Sequence, residues 1–245
     1  MIGIFTYDIP HRKTYDVLCL LKAGGIRDII VFAKPLHYQK AFQPLIEHRP
    51  PVNHPFTTQH LCKSLDFEYC PDFDTARLPE GSIILICGAG IISPEIIKRY
   101  QIINSHPGYL PDVRGLDALK WAIYEGLPIG VTTHLLGDDV DAGLMIEQKL
   151  VPLYENDSFH AVAQRQFDME VSMLVDAIDK VGAASEHLEP GNSPLRKRMP
   201  HEKEACLMER FQVLLQAMCH CGRFREAEDR PAIPYAGGKN AGVFA

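Results

Sequence analysis

Residues 82–111 read SIILICGAGIISPEIIKRYQIINSHPGYLP, and their order decides the fold. Ser82–Cys87 is uncharged and rich in isoleucine, as a strand buried on both faces requires. Gly88-Ala89-Gly90 then turns the chain. Pro94–Tyr100 predicts a short helix, with Pro94 in the first turn, where its missing N–H leaves no bond unmade. Ile102–Asn104 predicts a second strand, cut off by the Pro/Gly-rich run His106–Pro111. A strand, a helix and a strand in this compass make a unit of parallel sheet.

The alternation continues outward in both directions. Ile2–Tyr7 predicts a first strand, and Thr14–Ala23 a helix burying Val17, Leu18 and Leu21. Gly24-Gly25 ends that helix, as glycine does at helix C-termini. Ile29–Ala33 is the next strand, and 34–57, rich in Pro and His, predicts a loop with a short helix. Downstream, Leu116–Glu125 predicts a helix, and Gly130–Leu136 and Leu144–Val151 predict two strands. Ser158–Val181 predicts a long amphipathic helix, with Phe159, Val162, Ala163, Phe167 and Val171 near helical spacing. The expected class is α/β: a Rossmann-like, mostly parallel twisted sheet flanked by helices. A main domain over 1–189 would be followed by a small C-terminal extension over 190–245, opened by the linker 190–194. In that extension Glu202–His220 predicts a helix, with Leu207, Met208, Phe211, Leu214 and Leu215 forming either a dimer face or a packing surface. Tyr235–Ala245 predicts a frayed tail.

Bulk properties exclude several functions. The longest apolar runs fall far short of the roughly 20 residues of a membrane span, and no basic leader precedes the first strand, so a cytoplasmic protein is expected. The net charge of −6 argues against nucleic-acid binding, which uses a basic face. Seven cysteines without a repeated spacing predict free thiols in a reducing compartment. Cys219-His220-Cys221 lacks a second ligand pair, and no histidine pair falls on a helical face, so no metal is expected. Gly88-Ala89-Gly90 after a strand also fits a dinucleotide turn, but Ser93 stands where that fingerprint needs its third glycine.

Chemistry concentrates where strands are predicted to end. Asn104 and His106 follow one strand, and Asp141 follows another. In open α/β sheets ligands bind in the crevice beyond the carboxyl ends of the strands. An asparagine amide or protonated histidine can donate to the oxyanion of an acyl-transfer intermediate. An aspartate near the imidazole can set its tautomer or accept a proton through water. The same residues also have plain structural readings. Asn104–Gly108 fits turn chemistry, 137–141 fits a solvated acidic loop, and His134 fits a packed core histidine.

From Ser82 to Gln148 the chain resembles the 10-formyltetrahydrofolate-dependent formyltransferase family. The resemblance is carried by Asn104-Ser105-His106-Pro107, Leu110-Pro111, Arg114-Gly115 and Trp121-Ala122-Ile123. It continues through Gly126, Gly130-Val131-Thr132-Thr133-His134 and Asp141-Ala142-Gly143. It implies an N-formyltransferase whose catalytic domain is 1–189 and whose co-substrate is 10-formyltetrahydrofolate, without a metal. Asn104 would hold the formyl oxygen and His106 would assist the oxyanion or shuttle a proton. Asp141 would support His106 and help deprotonate the amine, and His134 would be a supporting residue. Cys87, Gly88, Ala89, Gly90, Ile91 and Ile92, with Asp138 and Asp141, would bind the folate.

The family formylates glycinamide ribonucleotide, initiator methionyl-tRNA and nucleotide-linked amino sugars, and includes folate hydrolases. The purine enzymes resemble one another in a glycine-rich loop after the first strand, whereas Thr6–Lys13 contains no glycine. The acidic charge and short remaining length weigh against the tRNA enzyme, and a hydrolase would have an extra N-terminal domain. By elimination the resemblance implies a nucleotide-linked amino sugar as acceptor, feeding a bacterial surface polysaccharide such as the lipopolysaccharide O-antigen. Tyr7, Arg12, Lys13, Tyr109 and Arg114 are its candidate contacts, with Arg196–Arg198 as further partners for a pyrophosphate. A homodimer is also expected. The alternatives are phosphoribosylglycinamide formyltransferase and a non-catalytic folate- or nucleotide-binding protein.

Overall fold

Uninterrupted apolar runs become the middle of a sheet. Ile2–Tyr7 (β1) and Ile83–Ile86 (β4) lie side by side at its centre, in register from Ile2 opposite Ile83 to Phe5 opposite Ile86. The computed structural model describes residues 1–36, 42–137, 143–184, 186–188 and 193–220. The other elements, in chain order, are Arg12–Ala23 (α1), Ile29–Lys34 (β2), Thr58–Leu65 (α2), Glu68–Cys70 (β3) and Pro94–Arg99 (α3). Gln101–His106 (β5), Arg114–Gly115 (β6), Ala118–Glu125 (α4), Gly130–Leu136 (β7), Gly143–Leu150 (β8) and Phe159–Lys180 (α5) follow. Glu186–Leu188 (β9), Leu195–Arg196 (β10), His201–Glu204 (α6) and Leu207–His220 (α7) complete the described chain. The main sheet has the order β3-β2-β1-β4-β5-β7-β8-β9. Its first five strands are parallel, the arrangement of a Rossmann half. The last three run antiparallel to their neighbours, and β6 pairs with β10 in a separate ribbon.

Alternation along β5 sorts its side chains. Ile103 faces one layer, where Ile4, Val31 and Leu85 pack against Val17, Leu18 and Leu21 of α1 and Phe167, Val171 and Leu174 of α5. Ile102 faces the other, with Phe5, Ile30, Phe32 and Ile84 under Ile96 and Ile97 of α3. Period-two alternation puts Asn104 and His106 on the same face as Ile102. The apolar sheet face thus becomes polar at the carboxyl end of β5.

Several expectations are corrected. The short helix expected within 34–57 does not form among that stretch's described residues, where Pro35, Pro44, Pro50, Pro51 and Pro55 interrupt the chain. A helix starts only at Thr58, where the Thr57 hydroxyl accepts from the His60 amide, and β3 follows it. The strand expected to stop at Asn104 continues to His106, because β7 pairs with it through His106 opposite Thr132. The helix expected over Glu202–His220 is two helices, broken between Glu204 and Leu207. Leu207, Phe211 and Leu215 of α7 are buried within the chain beside Leu119, Ala122 and Ile123 of α4 and Phe159 of α5. This face therefore packs on its own chain. The tail Tyr235–Ala245 lies outside the described residues.

Candidate active site

Antiparallel pairing of β5 with β7 brings the first polar pair together. Asn104 stands opposite His134, and the Asn104 amide nitrogen lies 3.5 Å from His134 Nε2. His134 is fully buried, with Nδ1 3.1 Å from the Leu135 carbonyl. A carbonyl only accepts, so Nδ1 carries the hydrogen and Nε2 accepts from Asn104. This contact turns the Asn104 NH2 group toward β7, and the amide has a second N–H to offer an oxyanion.

His106, two residues on along the same face, is 5% exposed. Its Nε2 lies 2.9 Å from the Val113 carbonyl and donates to it. A carbonyl only accepts, so that bond places a ring hydrogen on Nε2. Gly108 lies beside it: a Cβ there would stand 2.6 Å from His106 Nε2 and 2.5 Å from the Val113 oxygen. The bond can exist only because residue 108 has no side chain.

The segment 87–92 leaves β4 next to this pair, since Leu85 is in register with Ile103. Cys87 and Gly88 both donate their amides to the Phe5 carbonyl, at 2.9 and 3.1 Å. Burial pushes the Cys87 thiol up to about 12, so it is not a nucleophile at neutral pH. Tyr7 lies across the loop, its ring 2.8 Å from where a Gly88 Cβ would be. Ile92 is buried, whereas Ile91 is 97% exposed at the rim.

The other expected residues divide. Tyr109 packs against Gly130 at the start of β7. Arg12 is ion-paired to Asp16 one turn along α1, at 2.7 Å. Lys13 corrects the expectation of a pyrophosphate contact: it is 8% exposed and bonded at 2.7 Å to Glu170 of α5. Helix α1 begins at Arg12, so Lys13 faces inward toward α5. Arg49 also pairs with Glu170. Burial works to raise the Glu170 carboxyl, but the two cations overcome it and hold its pKa at about 2. Arg114 is half-buried on β6, while Arg196 is bonded to Glu125 at 2.5 Å and to the Asp112 carbonyl at 2.9 Å, and so is committed internally. Arg198 lies 3.3 Å from Asp117.

Asp138 and Asp141 lie outside the described residues, in the connection between Leu136 and its partner Gly143. Among the described residues no group of His, Cys, Asp and Glu could hold a metal, and no helix is long and apolar enough to cross a membrane. Sequence reasoning missed Gly108, Thr132, Gln148, Gln166 and Glu170, all bonded around β5 or approaching it closely. A faint signal existed in Gln166 and Glu170, polar residues one helical turn apart beside the apolar stripe of α5.

Residues 77–178 match the family model described as formyl transferase. The chain is 30% identical over 188 residues to the methionyl-tRNA formyltransferase of Ehrlichia chaffeensis, covering 74% of this chain and 56% of that one. It is 32% identical over 123 residues to the trifunctional purine biosynthetic protein adenosine-3 of Gallus gallus, covering 46% of this chain and 12% of the relative. The chain thus spans from about a tenth to little more than half of these relatives. A formyltransferase from Anoxybacillus kamchatkensis, solved with UDP-4,6-dideoxy-4-formamido-L-AltNAc and tetrahydrofolate, superimposes with a TM-score of 0.53 at 21% identity. That match covers 88% of this chain and 96% of the other, and at this identity it establishes a shared fold.

Proposed function

We propose, for a chain whose residues 77–178 belong to the formyl transferase family, that it moves the formyl group of 10-formyltetrahydrofolate to the amine of a nucleotide-linked amino sugar. The observation that carries the reading is the buried polar face where Asn104, His106 and His134 converge beside the 87–92 loop. The acceptor amine attacks the formyl carbon, and the carbonyl oxygen becomes an oxyanion. Asn104, oriented by His134, donates its second N–H to that oxygen. The amine loses a proton to Asp141, directly or through water, and His106 exchanges its proton through Nδ1. The carbon–nitrogen bond to the folate then breaks, and the folate nitrogen leaves with a proton as tetrahydrofolate forms. Since Cys87 and Gly88 have spent their amides on Phe5, Ala89–Ile92 supply the backbone groups for the pterin edge, with Ile91 at its rim.

Two things support the sugar acceptor. The turn between β1 and α1 contains no glycine for a phosphate loop. The formyltransferase crystallised with a UDP-linked formamido sugar is matched over nearly its whole length. Glycinamide ribonucleotide is the second reading, favoured by the 32% identity to a purine biosynthetic protein. Tetrahydrofolate release, followed across nucleotide-linked amino sugars, glycinamide ribonucleotide and no acceptor, separates them. Release only with an amino-sugar nucleotide is expected; release with glycinamide ribonucleotide would overturn the acceptor assignment.

A further inference from the structure

The loop 107–113 that ends in the Val113 carbonyl has few bonds of its own and is held by side chains from the neighbouring strands. Thr132 lies opposite His106 on β7 and is fully buried. Its hydroxyl donates to the Gly108 carbonyl at 2.9 Å and accepts from the Leu110 amide at 3.0 Å. It also accepts from the Gln148 side-chain amide of β8 at 2.9 Å. One hydrogen and two lone pairs are thereby all used. Gln148 spends its other N–H on the Leu110 carbonyl, at 2.6 Å. Both its donors thus pin one loop. On the far side Gln166 of α5, 4% exposed, donates to the Pro107 carbonyl at 3.0 Å and to Gly130 at 3.1 Å.

We infer that Thr132 and Gln148 are positioning residues for His106: by fixing loop 107–113 they hold the Val113 carbonyl on Nε2, and so keep the proton-exchanging nitrogen at Nδ1. Their hydrogen bonds to the loop end at Gly108 and Leu110, and the Val113 carbonyl of the same loop makes the bond to the imidazole. The consequence for catalysis rests on the formyl-transfer reading, whereas the consequence for the tautomer does not.

The test therefore reads both. In protein labelled with 15N-histidine, the His106 ring of the unaltered chain is expected to give the signature of a single tautomer protonated at Nε2. Thr132→Val and Gln148→Glu should each shift it toward a mixture of tautomers. Gln148→Glu keeps the size at a half-buried site and removes both donors, so it guards against a misfolded Thr132→Val. In the same variants kcat should fall by about tenfold to hundredfold, within the span of general acid–base catalysis, with the folate KM nearly unchanged. Thr132→Ser, which keeps the hydroxyl, should restore both readouts. Folded variants that retain the Nε2-protonated ring would overturn the inference, whatever their activity. A tautomer shift in a chain that releases no tetrahydrofolate with any acceptor would uphold the inference and reject the formyl-transfer reading.

Discussion

A histidine can use either ring nitrogen, and in this chain the choice is made by a glycine. Gly108 passes close enough to His106 and Val113 that a single methyl group would collide with both atoms of their bond. Gly108→Ala should therefore lower kcat by about a hundredfold, comparable to removing acid–base assistance, while circular dichroism of the folded protein stays unaltered. Equal kcat in the alanine variant would contradict the role given to that bond. What the structure brings together from the expected set is Asn104 and His106 on β5, with His134 opposite Asn104, while Asp141 lies outside the described residues. The partners of these residues were not legible in the sequence, because Thr132 and Gln148 reach the loop across strands, and sequence spacing does not encode that distance. Lys13 illustrates the opposite error. A lysine near a first turn reads as a ligand for phosphate, yet the phase of α1 points it at Glu170.

At the scale of elements, ion pairs stitch the chain behind the site. Lys120 of α4 and Glu204 of α6 are both fully buried and bonded to each other, and Glu204 also accepts from the Leu45 amide at 2.8 Å. Removing one partner strands the other charge in the interior, so Glu204→Ala should cost about 3–5 kcal/mol. Chemical denaturation would measure it, and the double replacement Lys120→Met with Glu204→Leu should recover much of the loss. Two half-buried histidines, His11 at the start of α1 and His48 in the segment before α2, make stability depend on pH. Burial, then the charges of Lys13 and Arg49, lower the His11 pKa to about 4, and burial followed by Arg49 lowers His48 to about 3. Well above pH 6.5 neither histidine holds a proton in either state. Below it the unfolded chain binds protons that the folded chain refuses, so stability falls as pH drops from 6.5 toward 4. His11→Asn should flatten the upper part of a Tm-against-pH curve, and an unaltered slope would refute this assignment. Below pH 4.5 protonation of Glu170, held down at about 2, adds a second decline. Strands β1, β4 and β7 and helices α1 and α5 were readable from apolar periodicity. Helix α2 and strand β3 were not, since α2 is only eight residues long and follows a proline-rich stretch that obscures its start.

For the whole molecule, five parallel strands in the order β3-β2-β1-β4-β5 end on one side of the sheet, where open α/β sheets bind ligands in the crevice beyond the strand ends, and the antiparallel β7 and β8 continue the sheet beside β5. The apolar runs and the βαβ unit made that first half foreseeable. The antiparallel half was less so, because alternation identifies a strand but not the direction of its neighbour. The C-terminal helix α7 closes the core beneath α4 and α5, with Phe211 set edge-on to Phe159 at 6.0 Å. The central claim is that this crevice transfers a formyl group through Asn104 and His106. Its most direct test is single-turnover release of tetrahydrofolate from 10-formyltetrahydrofolate in the presence of a nucleotide-linked amino sugar. The unaltered chain, Asn104→Ala and His106→Asn would be compared at equal folate occupancy. The account predicts release by the unaltered chain and rates lower by about a hundredfold or more in each variant, as for loss of an oxyanion donor. Equal rates in all three would contradict it.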